Sequence, residues 1–149
     1  MSSIRRHVTR EVVALEGAAP IRDAAVLMAE RKIGSVGVRE GGELVGLVTE
    51  RDLVVTVLAR GGDARLTIRE AMRKDVPRVT AEATEVECAA LMRDHGTRHL
   101  LVEDGGGVSG VVSMRDIIQL MLDEKQWMIE QLHVYIRGYD RTEEEGAQL

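Results

Sequence analysis

Aromatic side chains are scarce in this chain of 149 residues, which contains no Phe, one Trp and two Tyr. Proteins that bind single-stranded nucleic acid stack the bases on aromatic side chains, and this sequence offers no such platform. The formal net charge is −5 and no block of Lys and Arg occurs, whereas a nucleic-acid backbone attracts a basic surface. These absences leave nucleic-acid binding as the weakest of the functional alternatives.

Cysteine is also nearly absent, since Cys88 is the only one in the chain. A single cysteine excludes an internal disulfide and suits a reducing compartment, so we expect a cytoplasmic protein. The four histidines lack metal-ligand spacing, and no CxxC, HExxH, GxSxG or P-loop pattern occurs. No apolar run is long enough to span a bilayer. We therefore expect no enzyme activity, no catalytic residue, no bound metal and no membrane association.

The strongest positive signal is a tandem repeat with an offset of 64 residues. The stretch Gly46–Asp52 has the sequence Gly-Leu-Val-Thr-Glu-Arg-Asp, and Gly110–Asp116 has the sequence Gly-Val-Val-Ser-Met-Arg-Asp. Two copies indicate a pseudo-twofold pair, because a solenoid needs at least three repeats. A unit of this length buries little surface alone, so the two units should depend on each other. Further identities at the same offset are Ile4/Ile68, Arg5/Arg69, Val12/Val76, Leu27/Leu91, Met28/Met92 and Val38/Val102.

Hydrophobic periodicity and turn residues predict an α/β fold in which each unit has the order β-α-β-β-α, after a short lead-in helix at residues 1–10 or 67–73. In the first unit the predicted strands are 12–15, 33–38 and 44–48, and the predicted helices are 20–33 and 52–58. We place the first repeat at 1–63, the second at 64–124, and a C-terminal helix extension with an acidic tail at 125–149. Cys88 corresponds to Ala24 on an apolar helix face, so a buried, inert thiol is expected.

In both copies a hydroxyl residue and an aspartate fall at a strand-to-helix turn, beside free backbone N–H groups and the positive end of a helix dipole. One interpretation is structural: Thr49 with Asp52, and Ser113 with Asp116, would form capping boxes. The other interpretation is a ligand site at each turn. The occurrence of two copies in matching context favours the ligand site.

The order of elements, the strand 33–38, the two turns and the stretch Arg98–Val102 resemble a tandem pair of CBS domains, from about residue 4 to about residue 122. The resemblance implies a regulatory, ligand-sensing module that binds an adenosyl ligand (AMP, ADP, ATP, S-adenosylmethionine or NAD) in clefts between the repeats. A carboxylate such as Asp52 or Asp116 can accept hydrogen bonds from both ribose hydroxyls, and helix-start N–H groups can bind phosphate. Because aromatic residues are so few, adenine would lie between aliphatic side chains.

By the same resemblance, each cleft joins the turn of one repeat to the first-strand region and the start of the second strand in the other repeat. One site is implied to contain Val111, Ser113, Arg115, Asp116, Glu11, Val13, Ile33 and Gly34. Its twin is implied to contain Leu47, Thr49, Arg51, Asp52, Asp75, Pro77, Thr97, Arg98 and His99.

The two implied sites differ where Gly34-Ser35 of the first repeat corresponds to Arg98-His99 of the second. Arg98 and His99 can meet a phosphate, so we expect their site to prefer phosphorylated ligands and the other to tolerate a neutral group such as a thioether. The alternative is that both side chains decorate a strand and pair with a neighbouring carboxylate. Arg51 and Arg115 could equally be surface side chains.

The helical pattern continues beyond Leu122, where the repeat ends. It predicts a helix over 114–137 with a heptad-like seam, which we expect to pair with a second chain in a homodimer. The alternatives are that this helix packs on its own chain, or that the protein is a dimeric interaction scaffold without ligand. A regulated protein partner is also expected, and residues 140–149 are expected to be unstructured. The seam residues are Ile118, Met121, Lys125, Met128, Leu132 and Tyr135.

Overall fold

Each repeat contains one three-stranded sheet in the computed structural model, which describes the backbone of residues 2–147 and the side chains of residues 2–138. In both sheets the first two strands are parallel and the last two form an antiparallel hairpin. The hairpins carry an irregularity at equivalent places, between Val38 and Arg39 and between Val102 and Glu103. The strands are β1 (Ala14–Glu16), β2 (Ser35–Glu40), β3 (Glu43–Thr49), β4 (Arg78–Thr80), β5 (His99–Glu103) and β6 (Val108–Ser113).

The helices occur in the predicted order, which confirms the α/β fold of two β-α-β-β-α repeats. The predicted helix 52–58 differs in kind, because its first turn is α-helical and the rest, Val54–Ala59, is π-helical. Its β-branched run Val54-Val55-Thr56-Val57 crowds the preceding turn of an α-helix, which disfavours the ordinary helical geometry. The helices are α1 (Ile21–Arg31), α2 (Glu50–Leu53), α3 (Ile68–Ala71), α4 (Glu85–His95) and α5 (Met114–Ala147), and a 3₁₀ turn covers Ile4–His7.

The predicted strand 33–38 begins two residues late, because Ile33 still belongs to the end of α1. Its N–H donates to the Met28 carbonyl oxygen at 3.1 Å, after Lys32 has turned the chain with a left-handed φ of 54°. The second repeat does the same at Gly96, whose φ is 58°, with Thr97 donating to Met92. β2 and β5 therefore begin at Ser35 and His99.

The segment that precedes each repeat packs into the core of the other repeat. Ile4 is fully buried in the second core beside Val79, Cys88 and Met92, and its N–H donates to Ala83 at 2.9 Å. Ile68 is fully buried in the first core, and its N–H donates to Ala19 at 2.8 Å. The two repeats are therefore interlocked by an exchange of segments.

A third apolar cluster joins the faces of the two sheets. Leu44 and Leu47 of β3 meet Leu101 of β5 and Val111 of β6, and all four are buried. Side chains alternate along a strand, so Thr49, His99 and Ser113 point to this same inter-repeat side. The cluster thus places both turns at the boundary between the repeats.

The long helix α5 leaves its repeat at Leu120, the last of its described residues that is buried. Beyond that point Trp127, Leu132 and Tyr135 are 61%, 58% and 71% exposed. Trp127 borders a groove with Ser2 and Arg6 of the N-terminal segment, but its side chain remains mostly exposed. The expected unstructured tail is wrong as far as Ala147, because the helix continues to that residue. Gln148 and Leu149 lie outside the described residues. No helix in the described chain is both long and apolar enough to cross a membrane.

The exchange of segments yields a test of stability. Ile68→Ala should lower the free energy of unfolding by about 2–5 kcal/mol, because it empties a fully buried site in the core of the first repeat. Val86→Ala is the control at a 52% exposed aliphatic position on α4, where a change within about 0.5 kcal/mol is expected. Urea unfolding of the natural chain and the two variants measures the loss in the free energy of unfolding. Equal losses would show that the α3 segment does not anchor the repeats.

Candidate ligand-binding site

A cleft of about 800 Å³ opens at the boundary between the repeats, and we call it cleft 1. One wall comes from the end of β3, from α2 and from the π-helical stretch after it. The opposite wall comes from the segment after α3 and from the end of α4 with the start of β5. Seven of the nine residues predicted for one site line it: Leu47, Thr49, Arg51, Asp52, Thr97, Arg98 and His99.

Three predicted residues are placed differently from the expectation. Gly34, expected in the other site with Ser113 and Asp116, lines cleft 1. Asp75 and Pro77 are not among the lining residues, whereas Val76 between them is. The carboxylate of Asp75 is held instead by Arg73, whose Nε donates to Oδ1 at 2.6 Å.

The turn at cleft 1 forms the capping box that the structural interpretation predicts. The N–H of Thr49 donates to Asp52 Oδ2 at 2.8 Å, and the N–H of Asp52 donates to Thr49 Oγ1 at 3.2 Å. Neither hydrogen bond of this box involves Asp52 Oδ1. The carboxylate is partly buried, lines the cleft and keeps one oxygen for a ligand, so capping and ligand binding are compatible.

The second turn forms the same box. The N–H of Ser113 donates to Asp116 Oδ2 at 2.7 Å, its hydroxyl donates to the same oxygen at 2.8 Å, and the N–H of Asp116 donates back at 3.2 Å. Here the carboxylate oxygen Oδ2 receives the serine hydroxyl as well, which holds it more firmly. Arg115 is exposed on the first turn of α5.

The other residues predicted for the site at Ser113 and Asp116 are not gathered around that second turn. Glu11 and Val13 line a separate, shallow groove of about 470 Å³ together with Arg31 and Arg39, and no residue of the Ser113–Asp116 turn belongs to it. The N-terminal segment lies against β6 instead: Thr9 and Val111 exchange backbone hydrogen bonds of 2.9 and 3.0 Å. A Cβ at Gly110 would lie 2.6 Å from the Thr9 carbonyl oxygen, which shows how closely the segment approaches. Ile33, partly buried, packs against the first core.

Cleft 1 contains several basic side chains. Among the described residues, Arg51, Arg60 and Arg98 form no salt bridge, so the pairing of Arg98 with a neighbouring carboxylate is not observed. Arg73 differs, since it is bound to Asp75 and donates to the carbonyl oxygens at the end of α4. Three guanidinium groups thus remain for a ligand.

His99 lies deeper in cleft 1 than the arginines. Burial lowers the pKa of its imidazole, while the carboxylates of Asp116 and Asp52 act to raise it and Arg98 acts to lower it. Its backbone N–H donates to Thr97 Oγ1 at 3.2 Å, which fixes the start of β5. The imidazole is therefore largely neutral near pH 7, although both turn carboxylates act on its charge.

Several lining residues were missed by the sequence reasoning: Glu50, Arg60, Arg73 and His95. Arg60 comes at the end of the π-helical stretch, where no motif marks it. Arg73 corresponds to Thr9 at the repeat offset and pairs with Leu47 as Thr9 pairs with Val111, but this pairing is visible only in the structure. The single thiol, Cys88, is fully buried, and burial with the nearby Glu87 and Glu85 raises its pKa to about 11.

The two repeats, their sheets and the turns at their boundary define a tandem CBS-type module. The family model described as the CBS domain matches residues 3–59 and again residues 68–123. The chain therefore belongs to the CBS domain family.

Related proteins agree with this assignment over most of the chain. The CBS domain-containing protein YhcV of Bacillus subtilis is 28% identical over 117 residues, which cover 78% of this chain and 84% of that protein. The solved structure of a proposed signal-transduction protein with CBS domains from Burkholderia ambifaria is 31% identical, with a TM-score of 0.73, and the match covers 80% of this chain and 91% of that one. A hexameric CBS-CP12 protein from bloom-forming cyanobacteria is 30% identical, with a TM-score of 0.68, covering 79% and 70% of the two chains.

Proposed function

We propose that the protein is a regulatory module, not an enzyme, and that it senses a phosphorylated adenosyl ligand such as AMP, ADP or ATP in cleft 1. The observation that supports this most directly is the combination of one carboxylate oxygen outside the capping box with three guanidinium groups in the same cleft. The free Oδ1 of Asp52 can accept hydrogen bonds from two adjacent ribose hydroxyls. Arg51, Arg60 and Arg98 can neutralise and bind phosphate oxygens.

The size and lining of cleft 1 also suit such a ligand. A volume of about 800 Å³ falls within the range of small-molecule sites. Leu47, Val55, Met72 and Val76 provide aliphatic surfaces between which an adenine can lie. The basic side chains favour a phosphorylated ligand over S-adenosylmethionine, whose sulfonium is positively charged. NAD, with its pyrophosphate, is the larger alternative.

Reporting of the bound state to another protein is the second part of the proposal. The cleft is built from both repeats, so a ligand that bridges its walls changes the balance of contacts between them. A regulated partner can detect this change at the boundary of the repeats. Occupancy then shifts a population of conformations, as any ligand with different affinity for two states does.

Self-association is supported by the exposed apolar residues of two equivalent helices. Val54 and Leu58 correspond to Ile118 and Leu122 at the repeat offset, and all four are 51–76% exposed. Beyond them α5 carries Trp127, Met128, Leu132 and Tyr135, also exposed. A soluble monomer usually avoids so large an apolar surface, and twofold pairing is the commonest way to bury it. We propose a homodimer on this surface.

A scaffold that needs no ligand is the second candidate function. It is favoured by the formed capping boxes, which already satisfy the turns, and by the exposed surface of α5. It predicts association without any adenosyl compound. The first two of the experiments that follow separate it from ligand sensing, because they measure ligand binding.

Asp52→Ala should abolish or strongly weaken binding of AMP, because it removes charge-assisted hydrogen bonds that contribute about 1.5–3 kcal/mol. The variant also loses a capping box, so Glu87→Ala is the matched control: Glu87 forms the box with Thr84 on α4, away from the cleft. Asp52→Ala and Glu87→Ala should lose a similar free energy of unfolding. Titration calorimetry should nevertheless show weakened AMP binding for Asp52→Ala and unchanged AMP binding for Glu87→Ala. Asp116→Ala tests the second turn in the same way. If all three variants bind AMP like the natural chain, the turns are only capping boxes.

Arg98→Ala should weaken AMP and ATP more than adenosine, because its guanidinium lines cleft 1 without a carboxylate partner in the described chain. The control is Arg93→Ala, on α4, whose Nε donates to Asp94 at 3.0 Å. Competition binding with AMP, ATP and adenosine measures how much affinity each variant loses for each ligand. An equal loss for adenosine and AMP would show that Arg98 does not contact phosphate.

Truncation after Glu124 should convert the dimer into a monomer or a weaker dimer. It removes the exposed apolar residues from Trp127 to Ile136, each worth about 1.5–3 kcal/mol when a Leu- or Met-sized side chain is fully buried. Light scattering over a range of concentrations measures the mass. A truncated chain with the same mass as the full chain would place the interface elsewhere, with Val54, Leu58, Ile118 and Leu122 as the remaining candidates.

A further inference from the structure

His99 is the one side chain of β5 that adjoins both turns. Its Cα partner across the hairpin is Ser113, whose hydroxyl donates to Asp116. Its side chain lines cleft 1 together with Thr49 and Asp52. The equivalent residue of the first repeat, Ser35, is paired with Thr49 in the same register but carries no ionisable group. The pseudo-twofold arrangement therefore has an imidazole on one side only.

The surroundings of His99 contain charges of both signs. The carboxylates of Asp116 on α5 and Asp52 on α2 are near enough to act on its charge, and so is Arg98, which directly precedes it in the chain. The other ionisable side chains of cleft 1 are Glu50, Arg51, Arg60, Glu70, Arg73 and His95. Within the part of the chain that the structure describes, the imidazole itself forms no hydrogen bond. It is available to a ligand, and no existing contact has to break.

We propose that a phosphate-bearing ligand in cleft 1 binds together with a proton, which is taken up by the imidazole of His99. This inference rests on the proposed function, since it concerns the same cleft and the same class of ligand. It adds that occupancy of the cleft depends on pH, and that one histidine is the cause. The module would thus respond to acidity as well as to ligand concentration.

The direction of the effect follows from the two states of the imidazole. In the free protein burial holds the pKa of His99 below its ordinary value, so the ring is largely neutral near pH 7. A phosphate anion placed beside it favours the charged form and raises the pKa in the complex. Affinity therefore rises as pH falls through the interval from the higher, bound-state pKa to the lower, free-state pKa. Each unit of increase corresponds to about tenfold tighter binding below both values than above them.

The ligand contributes a proton linkage of its own, of opposite sign. A phosphate monoester has a second pKa of about 6, and a basic cleft prefers the dianion. Binding of a monoanion would then release a proton, so pH dependence alone cannot assign the effect to His99. A matched variant is needed that keeps the ligand's linkage and loses only the imidazole.

His99→Gln is that variant, and His133→Gln is its control. His133 is exposed on α5 and does not line cleft 1, so its loss leaves the cleft unchanged. Calorimetric titration with AMP near pH 6.5, the ordinary pKa of histidine, in buffers of different ionisation enthalpy gives the protons taken up per ligand. Adenosine is the uncharged comparison. Thermal unfolding of each variant confirms that the fold is kept.

The natural chain and His133→Gln should take up a larger fraction of a proton on binding AMP than His99→Gln does. With adenosine the three chains should show the same uptake. The inference is overturned if AMP binds to all three chains with equal proton uptake, while the proposed function survives that result. If no adenosyl compound binds the natural chain at any pH, the proposed function fails and the inference fails with it.

Discussion

The exchange of lead-in segments between the repeats is the constraint on which both the fold and the cleft depend. Ile4 and Ile68 are each fully buried in the core of the opposite repeat, so neither core is complete within its own stretch of sequence. The chain that follows Ile68 cannot return to its own repeat without crossing the boundary. It therefore supplies Met72, Arg73 and Val76 to the wall of cleft 1. The same segment, from Ile68 to Val76, therefore completes the core of the first repeat and forms part of the wall of cleft 1.

Much of the fold could be predicted because the sequence contains two copies of each element, 64 residues apart. Where the type of an element is ambiguous in one copy, the equivalent stretch of the other copy indicates it. The crossing could not be predicted in this way, since Ile4 and Ile68 are identical and satisfy the same pattern in either core. The π-helical stretch Val54–Ala59 and the length of α5 also escaped prediction. Both depend on packing or on modest helix preferences that composition alone does not settle.

The candidate site shows the same division between local and distant information. Thr49 and Asp52 were found because their roles depend on a spacing of three residues within one turn. Arg60 and Arg73 were missed because they reach cleft 1 only through tertiary structure. Asp75 was proposed from a first-strand position, yet its side chain is committed to Arg73. Neighbouring residues of an extended segment face opposite ways, so an assignment one residue off exchanges a lining side chain for an outward one.

The asymmetry between the turns is the feature with the widest consequence for function. Both turns keep the same capping box, so duplication preserved what each helix needs in order to begin. The starts of the equivalent strands differ: Gly34-Ser35 before and in β2 is small and neutral, whereas Arg98-His99 before and in β5 adds a guanidinium and an imidazole to cleft 1. A box shared by both turns cannot by itself distinguish ligands. Selectivity between ligands would have to come from the residues that differ, which is why the proposed function assigns the recognition of phosphate to Arg98 and His99.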